Sequence, residues 1–201
     1  FYDADRDVIY VANINENPSE KDGNGFISVL KPDGSVKVFK WIENLSAPKG
    51  MAVSDGRLYV SDIDQLVEID IENGEIINKY DAPNAVFLND VAACMNGMIF
   101  VSDTRTAKIH VLNKGDFSVW MEGDPFESPN GLFTEKGKLY VGDQNIYKVD
   151  IQSKEVTEII SDAGGVDGLE KNNAGEFVFS NWPGRIFIHT EGKNVKLLDS
   201  T

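Results

Sequence analysis

One strand pattern recurs five times along this chain, and it constrains the fold more than any other feature. Each copy reads apolar, aromatic or apolar, apolar, small, and then Asp or Asn. The copies occupy residues 9–13, 58–62, 99–103, 139–143 and 177–181. Successive copies end about 40 residues apart, a period typical of solenoids and propellers.

The same turns and strands surround each copy. Four copies follow a turn dipeptide that ends in Gly: Asp55-Gly56, Asn96-Gly97, Lys136-Gly137 and Ala174-Gly175. A third strand alternating with period two follows at 67–71, 108–112 and 147–151, and a fourth strand such as 75–78 closes the unit. No stretch shows a helical period. The sequence therefore predicts an all-β propeller of four-stranded blades.

We predict a single propeller domain over 1–201, with blades at approximately 1–45, 46–85, 86–126, 127–163 and 164–201. The first unit begins just before its second strand, so its innermost strand is expected to be missing. An open ring would expose two sheet edges. We therefore expect the natural protein to be longer at both ends and six-bladed, with a further blade beyond Thr201.

Composition excludes some functions. A net charge of −14 and the lack of a Lys/Arg cluster argue against nucleic-acid binding and favour cations. No apolar run is long enough for a membrane helix. Cys94, the only cysteine, stands in an apolar stretch and is expected to be a small packed residue. We expect a monomer with a small-molecule substrate. The compartment stays open, whether cytoplasmic, periplasmic or secreted.

Polar residues also recur where the first strand of each blade begins. These starts read Pro48-Lys49-Gly50-Met51, Leu88-Asn89-Asp90-Val91, Pro129-Asn130-Gly131-Leu132 and Val166-Asp167-Gly168-Leu169. First strands line the channel, so Asn89, Asn130 and Asp167 should converge at one channel mouth. They could simply satisfy turn backbone groups. Alternatively, their oxygens suit a hard divalent cation.

The second strands end on the same face of the propeller. Asp62, Asp103 and Asp143 stand there, further from the channel axis. We interpret them as turn caps, because the residue recurs in blade after blade.

At these residues the chain resembles the senescence marker protein/regucalcin/gluconolactonase family. The resemblance lies in Phe87-Leu88-Asn89-Asp90, Ser128-Pro129-Asn130-Gly131-Leu132 and Val166-Asp167-Gly168-Leu169. It implies a six-bladed propeller with one divalent metal at the channel mouth, Ca²⁺ first, with Mg²⁺ or Zn²⁺ as alternatives. Asn130 and Asp167 would be metal ligands, and Asn89 would face metal or substrate. The family's remaining ligand, a Glu in the first blade, would precede Phe1.

The implied activity is metal-assisted hydrolysis of lactones or related esters, with Asp167 as candidate general base, a role it would share with bound water. The family tends to place an Arg where this chain has Phe87, so no substrate-orienting charge is expected there. Trp182 and Arg185, in a loop of the fifth unit, are candidate substrate contacts, although a packed turn explains them equally well. The alternative function is a non-catalytic propeller, similar to NHL-repeat modules, that binds a partner through the same face.

Overall fold

The structure, a computed structural model, describes residues 1–182 and 184–200 and consists of five four-stranded antiparallel sheets. In every sheet the spatial order of the strands follows the chain order. The predicted all-β propeller is therefore confirmed. Pro183, part of the predicted fifth-blade loop, and Thr201 lie outside the described residues. Within the described part of the chain, no helix is long and apolar enough to cross a membrane.

The five blades follow one another along the chain. The first two contain β1 (Tyr2–Asp3), β2 (Val8–Asn13), β3 (Gly25–Leu30), β4 (Val36–Leu45), β5 (Pro48–Ser54), β6 (Arg57–Asp62), β7 (Gln65–Asp70) and β8 (Glu75–Asp81). The third and fourth contain β9 (Leu88–Ala93), β10 (Ile99–Asp103), β11 (Lys108–Asn113), β12 (Asp116–Glu122), β13 (Leu132–Glu135), β14 (Lys138–Gly142), β15 (Ile146–Asp150) and β16 (Val156–Ile160). The fifth contains β17 (Val166–Lys171), β18 (Phe177–Asn181), β19 (Arg185–Thr190) and β20 (Lys193–Asp199).

The first blade corrects one expectation, because its innermost strand is present as a short strand. Tyr2 pairs with Ile9 in antiparallel register. Phe1 extends this pairing by exchanging backbone hydrogen bonds with Tyr10, at 3.0 and 2.9 Å. Three residues are too few to show a period-two alternation, so this strand could not be predicted from the sequence.

The apolar core lies between successive blades. Four clusters of buried side chains fill the spaces between blades 1 and 2, 2 and 3, 3 and 4, and 4 and 5. Second-strand residues such as Leu58, Phe100 and Leu139 are fully buried in them. Cys94 is half-buried against the cluster between blades 3 and 4. The apolar positions of the repeat thus join each blade to its neighbours.

A β-bulge recurs where each first strand of blades 2 to 5 begins. In blade 3, Leu88 pairs with Asp103 and Val91 with Val101, so two residues stand opposite Ser102 alone. Blades 2 and 5 have the same shift, and in blade 4 the backbone of Gly142 bonds both Asn130 and Gly131, at 2.8 and 2.7 Å. A bulge bends its strand and re-aims the side chain of the extra residue. The first bulge residue of each blade is thereby turned out of the regular ladder.

The small residue of the repeat holds the bulges together. The hydroxyl of Ser102 accepts a hydrogen bond from Asp90 N at 2.9 Å and donates one to Asn130 O at 2.8 Å. Ser61 makes the equivalent bonds between Gly50 N and Asn89 O. One hydroxyl therefore connects the bulge of its own blade to the bulge of the next.

The acidic residue of the repeat fixes the loop that enters its blade. Asp103, fully buried, accepts hydrogen bonds from the backbone N–H groups of Val86 and Phe87 at 2.9 and 3.0 Å. Asp62 and Asp143 do the same for the entering loops of blades 2 and 4. The turn-cap interpretation therefore covers only part of their role, since their main partners precede the first strand.

Candidate functional site at the channel mouth

The first bulge residues of blades 2 to 5 form an arc around the channel mouth. In chain order they are Lys49, Asn89, Asn130 and Asp167. They share one backbone position, one bulge and one end of the blade, so the four positions are structurally equivalent. A cation and a carboxylate occupy the two ends of this arc, with two amides between them.

Asn130 and Asp167 are in direct contact. The Asn130 amide donates a hydrogen bond from Nδ2 to Asp167 Oδ1 at 3.0 Å, across the boundary between blades 4 and 5. Asp167 is exposed, so its carboxylate is open to solvent. Two of the three predicted metal-binding residues are thus brought together at one point.

Asn89 is held in place by its own neighbours. Its Nδ2 donates to Thr104 Oγ1 at 3.1 Å, and Thr104 Oγ1 donates in turn to Pro129 O at 2.9 Å. Because Nδ2 is engaged with Thr104, Oδ1 is the atom of Asn89 that could meet a ligand at the mouth. Pro129 O belongs to the loop that carries Asn130, so these two hydrogen bonds also fix the position of Asn89 relative to Asn130.

The channel below the mouth carries two carboxylates that the sequence did not single out. Asp90 and Glu170 line a cavity of about 260 Å³ between the first strands. Burial raises the pKa of Asp90 to about 7, although hydrogen bonds from Leu132 N and Val91 N oppose the rise. Burial also raises the pKa of Glu170. The bond from Leu132 N shows that Asp90 additionally ties blade 3 to blade 4.

Two cations lie beside Phe87 at the mouth. Lys49 Nζ and Arg105 Cζ each lie 4.3 Å from the centroid of the Phe87 ring. Burial, with a smaller contribution from Arg105, lowers the pKa of Lys49 to about 8. Position 87 itself carries no charge, as the sequence shows, but β5 and the turn after β10 bring two cations against its ring.

Trp182 and Arg185 have different neighbours. Trp182, 85% exposed, lines a cavity of about 260 Å³ together with Asp167 and Asn181. Arg185 begins β19, and its Nε lies 3.5 Å from a carboxylate oxygen of Asp199 on β20. Trp182 is therefore available to a ligand at Asp167, whereas Arg185 is directed to the outer strand of its blade.

The donor set at the mouth fits a hard divalent cation in chemistry. It offers one carboxylate, on Asp167, and amide oxygens on Asn130 and Asn89, and Ca²⁺ and Mg²⁺ prefer such oxygens. Of the described residues, no three His, Cys, Asp or Glu side chains are grouped closely enough to hold a metal ion. A cation here would depend on the amides.

The sequence did contain a signal for Lys49. It stands in Pro48-Lys49-Gly50-Met51, the blade-2 counterpart of the starts that carry Asn89, Asn130 and Asp167. Aligning the four starts places Lys49 on the same arc. No such signal exists for Arg105, which reaches Phe87 from the turn after β10.

The sequence matches no known family profile and no curated protein. Among solved structures, the chain is similar to a catalytically inactive variant of virginiamycin B lyase from Staphylococcus aureus with quinupristin, with a TM-score of 0.68 and 17% identity over 88% of this chain and 64% of that one. A chain of the nidogen/laminin complex gives 0.74 and 16% over 96% and 78%, respectively. The WD40 propeller domain of Doa1 gives 0.71 and 12% over 100% and 67%.

These likenesses define the class of the protein, which is a β-propeller. The three structures include a lyase and a chain of a protein complex, and propellers host many functions. The chain spans just under two thirds of the lyase, at 64% of its length. The fold alone therefore does not define the function, which depends on the residues of the mouth.

Proposed function

We propose that this propeller is a hydrolase of small lactones or related esters that works with a divalent cation held at the channel mouth. Asn130 and Asp167 would hold the cation, with Asn89 facing cation or substrate, as in the regucalcin/gluconolactonase family that the sequence resembles. The observation that carries the proposal is the 3.0 Å contact between Asn130 Nδ2 and Asp167 Oδ1. It brings an amide and a carboxylate from two blades to one exposed point.

Each residue of the mouth would have a separate role in hydrolysis. When bound, a divalent cation supplies Lewis-acid polarisation of a carbonyl oxygen. Asp167 is exposed and can orient a water molecule and accept its proton. Asn89, fixed through Thr104, can position a substrate oxygen at the next place on the arc. Trp182 offers an apolar face beside Asp167.

A second candidate is a propeller that binds a partner without catalysis. The 85% exposed indole of Trp182 favours it, because exposed Trp is frequently an anchor at interfaces. The carboxylate count favours it too, since Asp167 is the only carboxylate among the four residues of the arc. The two candidates share one face and differ in whether a cation binds there.

Calorimetric titration of the purified protein with Ca²⁺, followed by an assay on a panel of sugar and aliphatic lactones, tests the proposal. The protein should bind one divalent cation and hydrolyse at least one lactone. Asp167→Asn removes the only charge in the ligand set and should weaken cation binding by about tenfold or more, with parallel loss of activity.

Asp116→Asn is the matched control, because Asp116 is an exposed residue of β12 whose contact with Ser118 Oγ an amide oxygen can keep. It should change neither readout. Cation binding by Asp167→Asn at wild-type strength would refute the assignment. If the wild-type protein binds no cation and cleaves no lactone, the hydrolase proposal is wrong and the second candidate, a partner-binding propeller, is favoured.

A further inference from the structure

The mouth presents a positive group at the end of the arc remote from Asp167. Lys49 lines a cavity of about 390 Å³ together with Asp90, Gly168 and Glu170. The cavity thus reaches from the blade that carries Lys49 to the residue next to Asp167. Its volume falls in the usual range for small-molecule sites.

Lys49 and Arg105 retain hydrogen-bonding capacity beside Phe87. An ammonium has three N–H donors, and among the described residues Lys49 uses one, to Ala47 O at 2.9 Å. Neither Lys49 nor Arg105 makes a salt bridge within residues 1–182 and 184–200. The nearby carboxylate of Asp62 is already engaged with Ser46 N and Ala47 N.

Two like charges held against one ring repel each other unless an anion joins them. Burial lowers the pKa of Lys49 to about 8; the Asp62 carboxylate opposes this and the Arg105 charge adds to it. A bound anion would oppose that effect and could accept hydrogen bonds from both side chains. The planar guanidinium of Arg matches the two oxygens of a carboxylate in particular.

The cavity beside Lys49 favours an anion of single charge. Asp90 and Glu170 line the same cavity as Lys49, so a dianionic phosphate would meet like charge. A single negative charge can be satisfied at Lys49 and Arg105 while the remainder of the ligand extends towards Asp167.

We infer that Lys49 and Arg105, which both lie against the ring of Phe87, form a subsite for the carboxylate of an anionic substrate. The substrate class would then be small esters or lactones that also carry a carboxylate. This inference rests on the proposed function for the reaction, but the subsite itself requires only binding. It can therefore be tested without cation or hydrolysis.

The test is calorimetric binding of phenylacetate and of its neutral counterpart phenylacetamide to the full chain in cation-free buffer. Phenylacetate should bind about tenfold more tightly than phenylacetamide, and this preference should fall above pH 8 as Lys49 loses its charge. Lys49→Met should abolish the preference. Arg105→Gln, at an exposed residue, should reduce it about threefold with the fold intact.

Lys79→Met is the matched control, since it removes one positive charge from an exposed position on β8 of the same blade. It should keep the wild-type preference. Equal binding of the acid and the amide by the wild type would overturn the subsite, as would equal losses in Lys49→Met and Lys79→Met. Tighter binding of phenyl phosphate than of phenylacetate would overturn the carboxylate assignment. Failure of the proposed function would instead show as intact phenylacetate binding without lactone hydrolysis.

Discussion

The hydroxyl of Ser102 donates a hydrogen bond to the backbone carbonyl of Asn130, 2.8 Å away in the next blade. The same oxygen accepts from Asp90 N within its own blade. Ser102 is fully buried, and removing its hydroxyl would leave both backbone groups without this partner. One serine thus sets the position of a predicted metal-binding residue that is not in its own sheet.

Ser102→Ala should destabilise the protein by about 1–3 kcal/mol, because backbone groups of two bulges lose their hydrogen-bond partner. It should also weaken cation binding by displacing Asn130. Ser180→Ala is the control at the same position of blade 5, where the hydroxyl accepts only from Gly168 N among the described residues. Urea unfolding measures the difference, and equal losses in the two variants would contradict the inter-blade role of Ser102.

Gly142→Ala should destabilise the protein by about 1–3 kcal/mol through overpacking. A Cβ at position 142 would collide with the side chain of Val166, which is buried in the next blade. Val166→Ala should relieve part of this cost, so the double variant should be more stable than the sum of the single losses indicates. Additive losses in the unfolding measurements would show that this collision is not the cause.

His110→Phe should make the protein relatively more stable as the pH falls. His110 is buried, its Nε2 has no partner among the described residues, and its ring lies 5.5 Å from that of Phe117. Burial lowers its pKa below 6.5, opposed by Asp103 and assisted by Lys108. The unfolded chain therefore takes up the proton first, and wild-type stability from this group is lost as the pH falls below 6.5.

The measurement is the difference in unfolding free energy between His110→Phe and wild type from pH 8 to pH 5.5. The difference should grow towards acid pH. Using a difference removes the opposite slope of Asp90, whose raised pKa favours the folded state as the pH falls. His189→Gln, at the other histidine, should leave the slope in place. A constant difference across this range would exclude His110 as the source.

Asn130→Asp should make stability depend on a divalent cation. The substitution places a second carboxylate at the 3.0 Å contact with Asp167, where like charges repel. The variant should melt below wild type in chelator and recover more than wild type on adding Ca²⁺. Melting curves with and without Ca²⁺ provide the readout. A variant that Ca²⁺ does not stabilise would argue against a cation at this point.

The blades could be predicted from the sequence because their signals are local. Each repeated strand carries the same five-residue pattern, and four of the five copies follow a turn glycine, as in Asn96-Gly97 before Ile99. The short strand at Tyr2 could not be predicted, because a strand of so few residues shows no pattern even though Tyr2 pairs with Ile9.

The contacts between blades could not be predicted from the sequence, for a different reason. Ser102 and Asn130 are 28 residues apart in the chain, and nothing in either motif identifies the other as its partner. The cations beside Phe87 come from β5 and from the turn after β10. Comparing position 87 alone with the family therefore revealed only the missing Arg. The convergence of Asn130 with Asp167 was accessible, since equivalent positions of a repeat must share one face.

The recurrent bulge separates what the fold requires from what the chemistry can vary. Within a blade, the buried serine or glycine and the aspartate that follows it are constrained by neighbouring backbone. The side chain of the first bulge residue takes no part in these backbone contacts, and it differs from blade to blade, as lysine, asparagine, asparagine and aspartate. Evolution, or a designer, could therefore rewrite the ligand preference of the mouth one blade at a time while leaving the architecture untouched.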